Sequence, residues 1–278
     1  MRYVAVDWSG SLRGGGSQIW LAAVEEAELV ELRGGLTRPA AIGMLDGWRS
    51  AGIDLAVGLD FGFSMPAWYV QSWGCESAPE FWRVVAAEGE RWLAECPPPF
   101  WGRPGRRRDL SGGPAYRRTE TAVEGHPKSV FQVGGAGAVG TGSIRGMPWL
   151  THLRDRGFAI WPFDSAAAAS VFEIYPRLLT GPGPKRQPGW RMAYLDAIGW
   201  PVGPSARALC AGVEDAFDAA VSALRLWQDG AELSRVEPAT DPLERLEGRI
   251  WAPADPLPTV AVAPWIRRAA TRSRATTV

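Results

Sequence analysis

Short apolar runs separated by polar turns fill the first sixty residues, and this pattern predicts a small sheet. The runs at 3–8, 18–24 and 28–33 are joined by short links, which favours an antiparallel meander of three strands. Helical spacing follows from Thr37, a candidate N-cap, and a fourth strand is predicted at 54–60. Because that strand is reached through a helix, we expect it to lie beside the first strand and parallel to it.

The pattern changes at residues 61–146, which we interpret as a large insertion between core strands. It contains a predicted helix at 79–95 and a long Arg-, Gly- and Pro-rich loop at 101–128. Regular patterns then resume, with helices predicted at 148–156, 190–198 and 205–228 and strands at 158–163 and 170–176. These elements predict one α/β domain over 1–251, with a mixed sheet flanked by helices, and a disordered, Pro-rich, basic tail at 252–278.

Composition limits the functional classes. The 278 residues carry 30 basic and 30 acidic side chains, so any binding to nucleic acid must come from a local patch and not from the overall charge. The three cysteines are far apart and odd in number, which favours free thiols in a reducing compartment. No apolar run is long enough for a membrane span and no leader precedes the first strand, so we expect a cytoplasmic protein without a membrane partner.

Two carboxylates follow apolar strands that are predicted to be neighbours. Asp7 ends the first strand and Asp60 ends the fourth, so both should lie at the carboxyl edge of the sheet, where ligands bind in open α/β sheets. Adjacent, partly buried carboxylates repel, and one takes up a proton unless a cation neutralises them. Oxygen ligands suit Mg²⁺ or Mn²⁺, and we therefore predict a divalent metal site.

Three further acids fit the same site. Glu173 interrupts an apolar strand, and Asp215 and Asp218 share one face of the long predicted helix. Asp218 lies on the apolar, small-residue side of that helix, which would direct it towards the sheet. Each acid also has an ordinary structural interpretation: a strand-end Asp often forms a turn or cap, Glu173 could pair with an arginine, and Asp215 could be a solvated helix residue.

The order of these motifs resembles the DUF429 family, whose members are predicted nucleases of the ribonuclease H-like superfamily. The resemblance rests on VAVDWSG, VGLDFGFSMP, FEIYP, EDAFDAAVSAL and EGRIW, in this order within residues 1–251. It implies a ribonuclease H-like sheet and a carboxylate site at Asp7, Asp60 and Asp218, with Glu173 and Asp215 nearby.

The implied activity is hydrolysis of phosphodiesters with two metal ions, in which the acids above act as ligands and catalytic groups. Asp60 departs from the superfamily pattern, which usually has Glu on this strand, and the shorter side chain puts the occupancy of two metals in doubt. The helical D-x-x-D-A at 215–219 also looks like the acidic helix of Holliday-junction resolvases, which suggests a dimer.

A basic segment inside the insertion is a candidate nucleic-acid groove. Phe100, Trp101 and Tyr116 are interleaved with arginines, a composition that combines phosphate contacts with base stacking. The arginines are Arg103, Arg106, Arg107, Arg108, Arg117 and Arg118. The alternative is a solvated loop whose arginines form ion pairs within the chain.

Glycines dominate residues 134–146, which contain a formal G-x-G-x-x-G at Gly135, Gly137 and Gly140. A dinucleotide-binding fingerprint should open a helix at once, whereas Thr-Gly-Ser follows here and predicts poor helix, so we expect no nucleotide cofactor. A phosphate-contacting loop of backbone amides, with Arg145 supplying charge, stays open as an alternative.

Two other functional classes compete with the nuclease. An actin-like or sugar-kinase phosphotransferase would use a phosphate loop that Asp7-Trp-Ser-Gly-Ser11 nearly matches, but that fold needs two related domains and only one meander is predicted. The third class is a catalytically inactive nucleic-acid-binding module that keeps the fold and the carboxylates. Metal dependence discriminates the three, because the nuclease needs Mg²⁺ or Mn²⁺ and the phosphotransferase should bind ATP.

Overall fold

A six-stranded mixed sheet organises the protein, whose computed structural model describes residues 1–11, 18–135 and 137–254. The strands are β1 Arg2–Asp7, β2 Ile19–Glu25, β3 Glu28–Leu36, β4 Leu55–Leu59, β5 Ala159–Ile160 and β6 Ala169–Glu173, in the spatial order β3-β2-β1-β4-β6-β5. The first three form an antiparallel meander, and β4, β6 and β5 continue the sheet parallel to β1. The predicted α/β class, the meander and the parallel pairing of β1 with β4 are confirmed.

Helices flank the sheet. They are α1 Arg38–Ser50, α2 Ala67–Ser72, α3 Ala78–Glu95, α4 Arg118–Ala122, α5 Val139–Asp155, α6 Pro176–Thr180, α7 Pro188–Ala197, α8 Pro204–Gly212, α9 Glu214–Gln228, α10 Gly230–Leu233 and α11 Pro242–Glu247. Thr37 caps α1 as predicted, since its side chain accepts a hydrogen bond from the backbone N–H of Ala40 at 3.3 Å. No helix in the described part of the chain is both long and apolar enough to cross a membrane.

The two faces of the sheet bury separate apolar clusters, because successive strand residues point to opposite faces. Val4 and Val6 of β1 belong to the cluster beneath α1, α3 and α5, whereas Ala5 belongs to the cluster beneath α9. The α9 face is lined by small residues: a Cβ added at Gly58 of β4 would lie 3.0 Å from the Cδ1 atom of Leu226 in α9. This close packing lays α9 directly against the strands that end in the predicted site.

One long helix was predicted at 205–228, and the structure corrects it to two. The backbone of Val213 is extended between α8 and α9. The Arg191 guanidinium donates to the carbonyls of Cys210 at 2.9 Å and Ala211 at 3.0 Å. These carbonyls lie in the last turn of α8, where they have no partner within the helix. The hydrogen bonds from Arg191 therefore stabilise the end of α8 before Val213.

The start of α5 is a second correction, because the helix begins at Val139 and not near residue 148. Gly140 is required by close packing, because a Cβ there would lie 2.2 Å from the carbonyl oxygen of Val130. Ser143 adds a tertiary hydrogen bond, because its hydroxyl accepts from the Gly62 N–H at 2.9 Å. Tertiary packing therefore overrides the poor helix propensity of this segment.

The region predicted as an insertion supplies α2, α3, α4 and the N-terminal part of α5. Within the loop predicted at 101–128, the structure adds the short helix α4 at Arg118–Ala122, and the rest has no regular structure beyond a single bridge between Trp101 and Gln132. The three cysteines are buried and free. The predicted disordered tail lies outside the described residues from residue 255 onwards.

Candidate active site

Asp7 and Asp60 lie side by side at the carboxyl edge of the sheet, where the sequence placed them. Asp7 is the last residue of β1, and Asp60 directly follows β4, which pairs with β1 in parallel register. The Asp60 N–H donates to the carbonyl of Val6 at 3.1 Å, which ties the two strand ends together at this point. Both side chains are half-buried and face a region shared with the start of α9.

α9 brings Asp218 to this edge. The Asp218 side chain is buried, with 5% of the residue exposed, and its Oδ2 forms an ion pair with Lys185. Its Oδ1 is buried and has no hydrogen-bond partner among the described residues. Asp215, one helical turn earlier, is exposed at the rim. A buried carboxylate oxygen without a partner is costly, which makes Asp218 Oδ1 a natural ligand atom for a cation.

The four aspartates perturb one another. Burial, then the charge of Asp218, raises the pKa of Asp60 to about 7, and burial raises the pKa of Asp218 to about 6 despite the nearby ammonium of Lys185. Burial, then the charge of Asp60, raises the pKa of Asp7 well above its usual range. Burial, then Glu214, raises the pKa of Asp215. The cluster therefore favours protons or a cation near neutral pH.

Lys185 is the residue of the site that the sequence analysis missed. It lies between α6 and α7 in a Pro- and Gly-rich connection, where no local pattern marks it. Burial alone would lower the pKa of Lys185, but Asp218 and then Asp60 raise it, so the ammonium stays charged. Tyr175 also borders the site: burial, then the charge of Asp60, raises the pKa of its phenol.

Glu173 has a different role from the one predicted. Its Oε1 accepts from Arg117 Nη2 at 2.5 Å, and its Oε2 accepts from Arg117 Nη1 and from the Phe63 N–H, each at 2.8 Å. Arg117 also donates to Glu120 at 3.0 Å and to the Glu247 carbonyl at 3.0 Å. Both carboxylate oxygens of Glu173 are thus engaged by protein donors, and the open alternative of an arginine pair is the one observed.

The same contacts correct the prediction for Arg117 as a nucleic-acid-binding residue. Its side chain is 2% exposed and lies between two buried carboxylates. Burial alone would lower the pKa of the guanidinium, but Glu173 and Glu120 raise it further above its usual range. Arg117 therefore holds the fold together and is not available to a ligand.

The other predicted arginines divide into two groups. Arg118 is paired with Asp241 at 2.7 Å and Glu244 at 3.2 Å, which corresponds to the alternative of intramolecular ion pairs. Arg103, Arg106, Arg107 and Arg108 are exposed, and the Arg108 guanidinium lies 4.9 Å from the centre of a Trp101 ring. Only this second group presents charge to solvent next to an aromatic side chain, as the predicted groove requires.

A cavity of about 840 Å³ adjoins the aspartates on the β4 side. Its walls are Asp60, the loop that follows β1, the exposed Arg103, the Gly-rich segment and the first turn of α5. The charge of Arg145 is already compensated within the chain, because its guanidinium forms a bidentate ion pair with Glu90 at 2.7 and 2.8 Å. Its remaining nitrogen donates to the Gly10 carbonyl at 2.5 Å, so Arg145 positions the loop.

The donor set fits a hard divalent cation. Asp7, Asp60 and Asp218 offer carboxylate oxygens only, and the buried Oδ1 of Asp218 lacks a protein donor in the described residues. In the part of the chain that the structure describes, no group of three or more Asp, Glu, His or Cys side chains is arranged so that it could hold a metal ion. Lys185 is instead the cation closest to Asp218, and ligand binding would require these side chains to turn towards a common point.

Comparison with known proteins adds no functional assignment: no family model, no curated protein and no solved structure matches this chain. The geometry and chemistry of the carboxyl edge therefore carry the functional argument.

Proposed function

We propose that this protein is a divalent-metal-dependent hydrolase of phosphodiester bonds, a nuclease with a ribonuclease H-like arrangement of strands and acids. One observation carries the proposal. Asp7 and Asp60 end adjacent parallel strands, and α9 adds Asp218, whose Oδ1 is buried without a partner in the described residues. These three carboxylates lie on separate elements, and burial raises the pKa of each, with the charge of Asp218 adding to the shift at Asp60 and the charge of Asp60 adding to the shift at Asp7.

In this proposal Asp7, Asp60 and Asp218 hold Mg²⁺ or Mn²⁺, and Asp215 lies at the rim next to solvent. When bound, the ion supplies neutralisation of phosphate charge and a lowered pKa for water. Glu173 is left out of the ligand set because Arg117 and Phe63 occupy its oxygens.

Three residues of the chain then have separate tasks. Asp215 is exposed and carries a raised pKa, so it is suited to hold a proton taken from water at the rim. Lys185 pairs with Asp218 and, at 4.0 Å, with Glu214, and its ammonium would be placed to contact a phosphate oxygen bound beside Asp218. Tyr175 borders the site, and its hydroxyl donates to the Gly125 carbonyl at 3.2 Å, which holds the ring in position.

Nucleic acid is the substrate class that the surroundings favour. Arg103, Arg106, Arg107 and Arg108 form an exposed basic stretch, of which Arg103 lines the cavity beside Asp60. The net charge of the chain is zero, so this local patch is what would attract a polyanion.

One observation favours an inactive binding module as the second candidate. Lys185 already supplies a positive charge to Asp218, so part of the negative charge of the cluster is balanced without any metal. The phosphotransferase has no comparable support, because the described residues form one six-stranded sheet and provide no second domain.

The test is Mg²⁺- and Mn²⁺-dependent cleavage of labelled DNA, RNA, hybrid and branched substrates. Asp7→Asn and Asp218→Asn should abolish cleavage, whereas Asp54→Asn should not, because Asp54 lies at the opposite, amino end of β4. Cleavage that survives Asp7→Asn and Asp218→Asn, or no metal-dependent cleavage of any substrate, would contradict the nuclease. Metal-independent binding of the substrates without cleavage would instead favour the binding module.

A further inference from the structure

Arg191 of α7 is a buried arginine whose guanidinium binds backbone carbonyls. The residue is 2% exposed, and in the part of the chain that the structure describes its guanidinium donates only to carbonyl oxygens. Nη2 donates to Ala211 at 2.5 Å, at the end of α8, and Nη1 donates to Lys185 at 2.5 Å, in the connection between α6 and α7. A buried charge that no carboxylate neutralises is costly. The planar group of donors, however, can hold two segments of the chain at once.

The connection at 181–187, which carries Lys185, contains no helix or strand and is held by arginines from both sides. Arg177, in α6, donates to two of its carbonyls at 2.9 and 3.2 Å. Arg191, in α7, donates to the Lys185 carbonyl itself. The backbone of Lys185 is therefore fixed by side chains and not by regular secondary structure.

The other segment that Arg191 holds leads directly into the carboxylate cluster. Ala211 lies in the last turn of α8, shortly before Glu214, where α9 begins. On α9, Asp218 forms an ion pair with the ammonium of Lys185, and Glu214 lies 4.0 Å from it. The guanidinium thus fixes the backbone of Lys185 relative to the start of the helix whose acids the lysine side chain contacts.

We infer that Arg191 is a positioning residue of the proposed site, which sets the Lys185 ammonium opposite Asp218 by holding the Lys185 backbone against the end of α8. A lysine side chain is a flexible stem with a point charge at its end, so holding its backbone reduces the entropy that is lost when the ammonium is placed. The inference deepens the proposed function and rests on it for the task of Lys185 at a phosphate. The position of the ammonium can be measured without metal or substrate.

The two lysines of the chain, Lys128 and Lys185, make this measurement direct. Acetylation of the full chain by N-hydroxysuccinimidyl acetate, followed by peptide mass spectrometry, gives the rate at Lys185 with the exposed Lys128 as internal reference. In the wild type Lys185 should react more slowly, because its side chain is 17% exposed and paired. We expect Arg191→Met to raise the rate at Lys185 relative to Lys128 about tenfold, the effect of one hydrogen bond to a charged group.

Two further variants separate positioning from general loosening of the fold. Arg225→Met removes another buried arginine from the opposite end of α9, where it pairs with Asp229 at 2.5 Å, and should leave the relative rate at Lys185 unchanged. Arg191→Lys keeps the buried charge but not the planar group of donors, so it should also raise the rate, and it carries the test if Arg191→Met does not fold. An unchanged rate in Arg191→Lys, or an equal rise in Arg225→Met, would overturn the inference.

Mn²⁺ binding, measured by calorimetry, connects the position of Lys185 with the metal site. If Arg191 acts through Lys185, Arg191→Met should tighten Mn²⁺ binding in the wild-type chain and have no further effect in Lys185→Met. An equal effect in both backgrounds would show that Arg191 acts on the metal site by another route, and would contradict the inference.

The positioning role and the nuclease fail in different ways. A wild type that neither binds Mn²⁺ nor cleaves any substrate would reject the nuclease, while a raised acetylation rate at Lys185 in the Arg191 variants alone would retain the positioning role. Cleavage that depends on Asp7 and Asp218, together with an unchanged acetylation rate in both Arg191 variants, would retain the nuclease and reject the positioning role.

Discussion

The ammonium of Lys185 pairs with one oxygen of Asp218, while the other oxygen of Asp218 is buried without a hydrogen-bond partner among the described residues. The two oxygens of this carboxylate therefore have different environments. Oδ2 is paired with Lys185, and Oδ1 receives no hydrogen bond from the described part of the chain. A cation that binds Oδ1 must compete with Lys185 for the negative charge of the cluster.

Lys185→Met should therefore change metal affinity and turnover in opposite directions. Removing the ammonium while keeping the length of the side chain should tighten Mn²⁺ binding about tenfold, because one charged hydrogen bond to Asp218 no longer competes. Turnover should fall, because the phosphate loses its cationic partner. Calorimetry with Mn²⁺ and the cleavage assay measure the two effects.

Arg186→Met is the control for this prediction, since Arg186 is the exposed neighbour of Lys185 in the same connection. Weaker Mn²⁺ binding by Lys185→Met would show that the ammonium supports the metal site and does not compete for it.

The protein without metal should lose stability as the pH rises from the unfolded pKa of its buried carboxyls, 3.8, through their folded pKa values of about 6 for Asp218 and about 7 for Asp60. A carboxyl whose pKa is raised by folding stabilises the protein fully below its unfolded pKa, and this contribution is lost as the pH rises through the folded pKa. For Asp60 this window extends from 3.8 to about 7, and for Asp218 from 3.8 to about 6. In thermal unfolding experiments, each kcal/mol lost from the free energy of unfolding should lower the Tm by about 2–4 °C.

Two comparisons isolate the cluster as the cause of this pH dependence. Asp60→Asn should flatten the fall in Tm, whereas Asp54→Asn, at the other end of β4, should not. Mg²⁺ should raise the Tm more at the higher pH, because it binds the ionised carboxylates. A Tm that is as high at about pH 8 as at about pH 5.5 in metal-free buffer would contradict the prediction.

Arg117→Met should destabilise the fold by about 3–5 kcal/mol, because it leaves the buried carboxylates of Glu173 and Glu120 without their partner. Arg118→Met, in the adjacent position, should cost much less stability, since its ion pairs with Asp241 and Glu244 are exposed to solvent and screened by it. Urea unfolding measures both.

Glu173→Gln distinguishes a structural role from a ligand role for this acid. We expect a lower free energy of unfolding and unchanged Mn²⁺ affinity in the folded variant, because Arg117 and Phe63 already occupy the carboxylate. Reduced Mn²⁺ affinity with unchanged stability would restore Glu173 to the metal site.

The strand framework and the aspartates were predictable, and the reason is periodicity. Apolar runs that end in Asp7 and Asp60 specify both the strands and the edge where they end, because a helical crossover makes the two strands parallel. Asp218 was identified in the same way, from its place on the small-residue face of α9.

The remaining parts of the site depend on contacts between residues distant in sequence. Lys185 lies in a loop whose composition fits any turn, and only the fold brings it to Asp218, 33 residues later. Arg117 was one of six similar arginines, and burial against Glu173 distinguishes it. The predicted start of α5 was wrong because the glycines in this segment are weak helix formers. Their close packing against Gly10 and Val130, which stabilises the helix, depends on the three-dimensional fold and not on the local sequence.

The arginine that joins Glu173 to the Glu247 carbonyl also has a consequence for synthesis on the ribosome. Arg117 is made 130 residues before Glu247, and Trp251 donates its N–H to the Glu173 carbonyl at 2.8 Å, so the last described segment completes the edge beside the aspartates. A chain that emerges from its N-terminus carries Asp7 and Asp60 long before α9 and this final segment exist. The edge that carries Asp7, Asp60 and Asp218 is therefore completed only after the residues up to Trp251 have been synthesised.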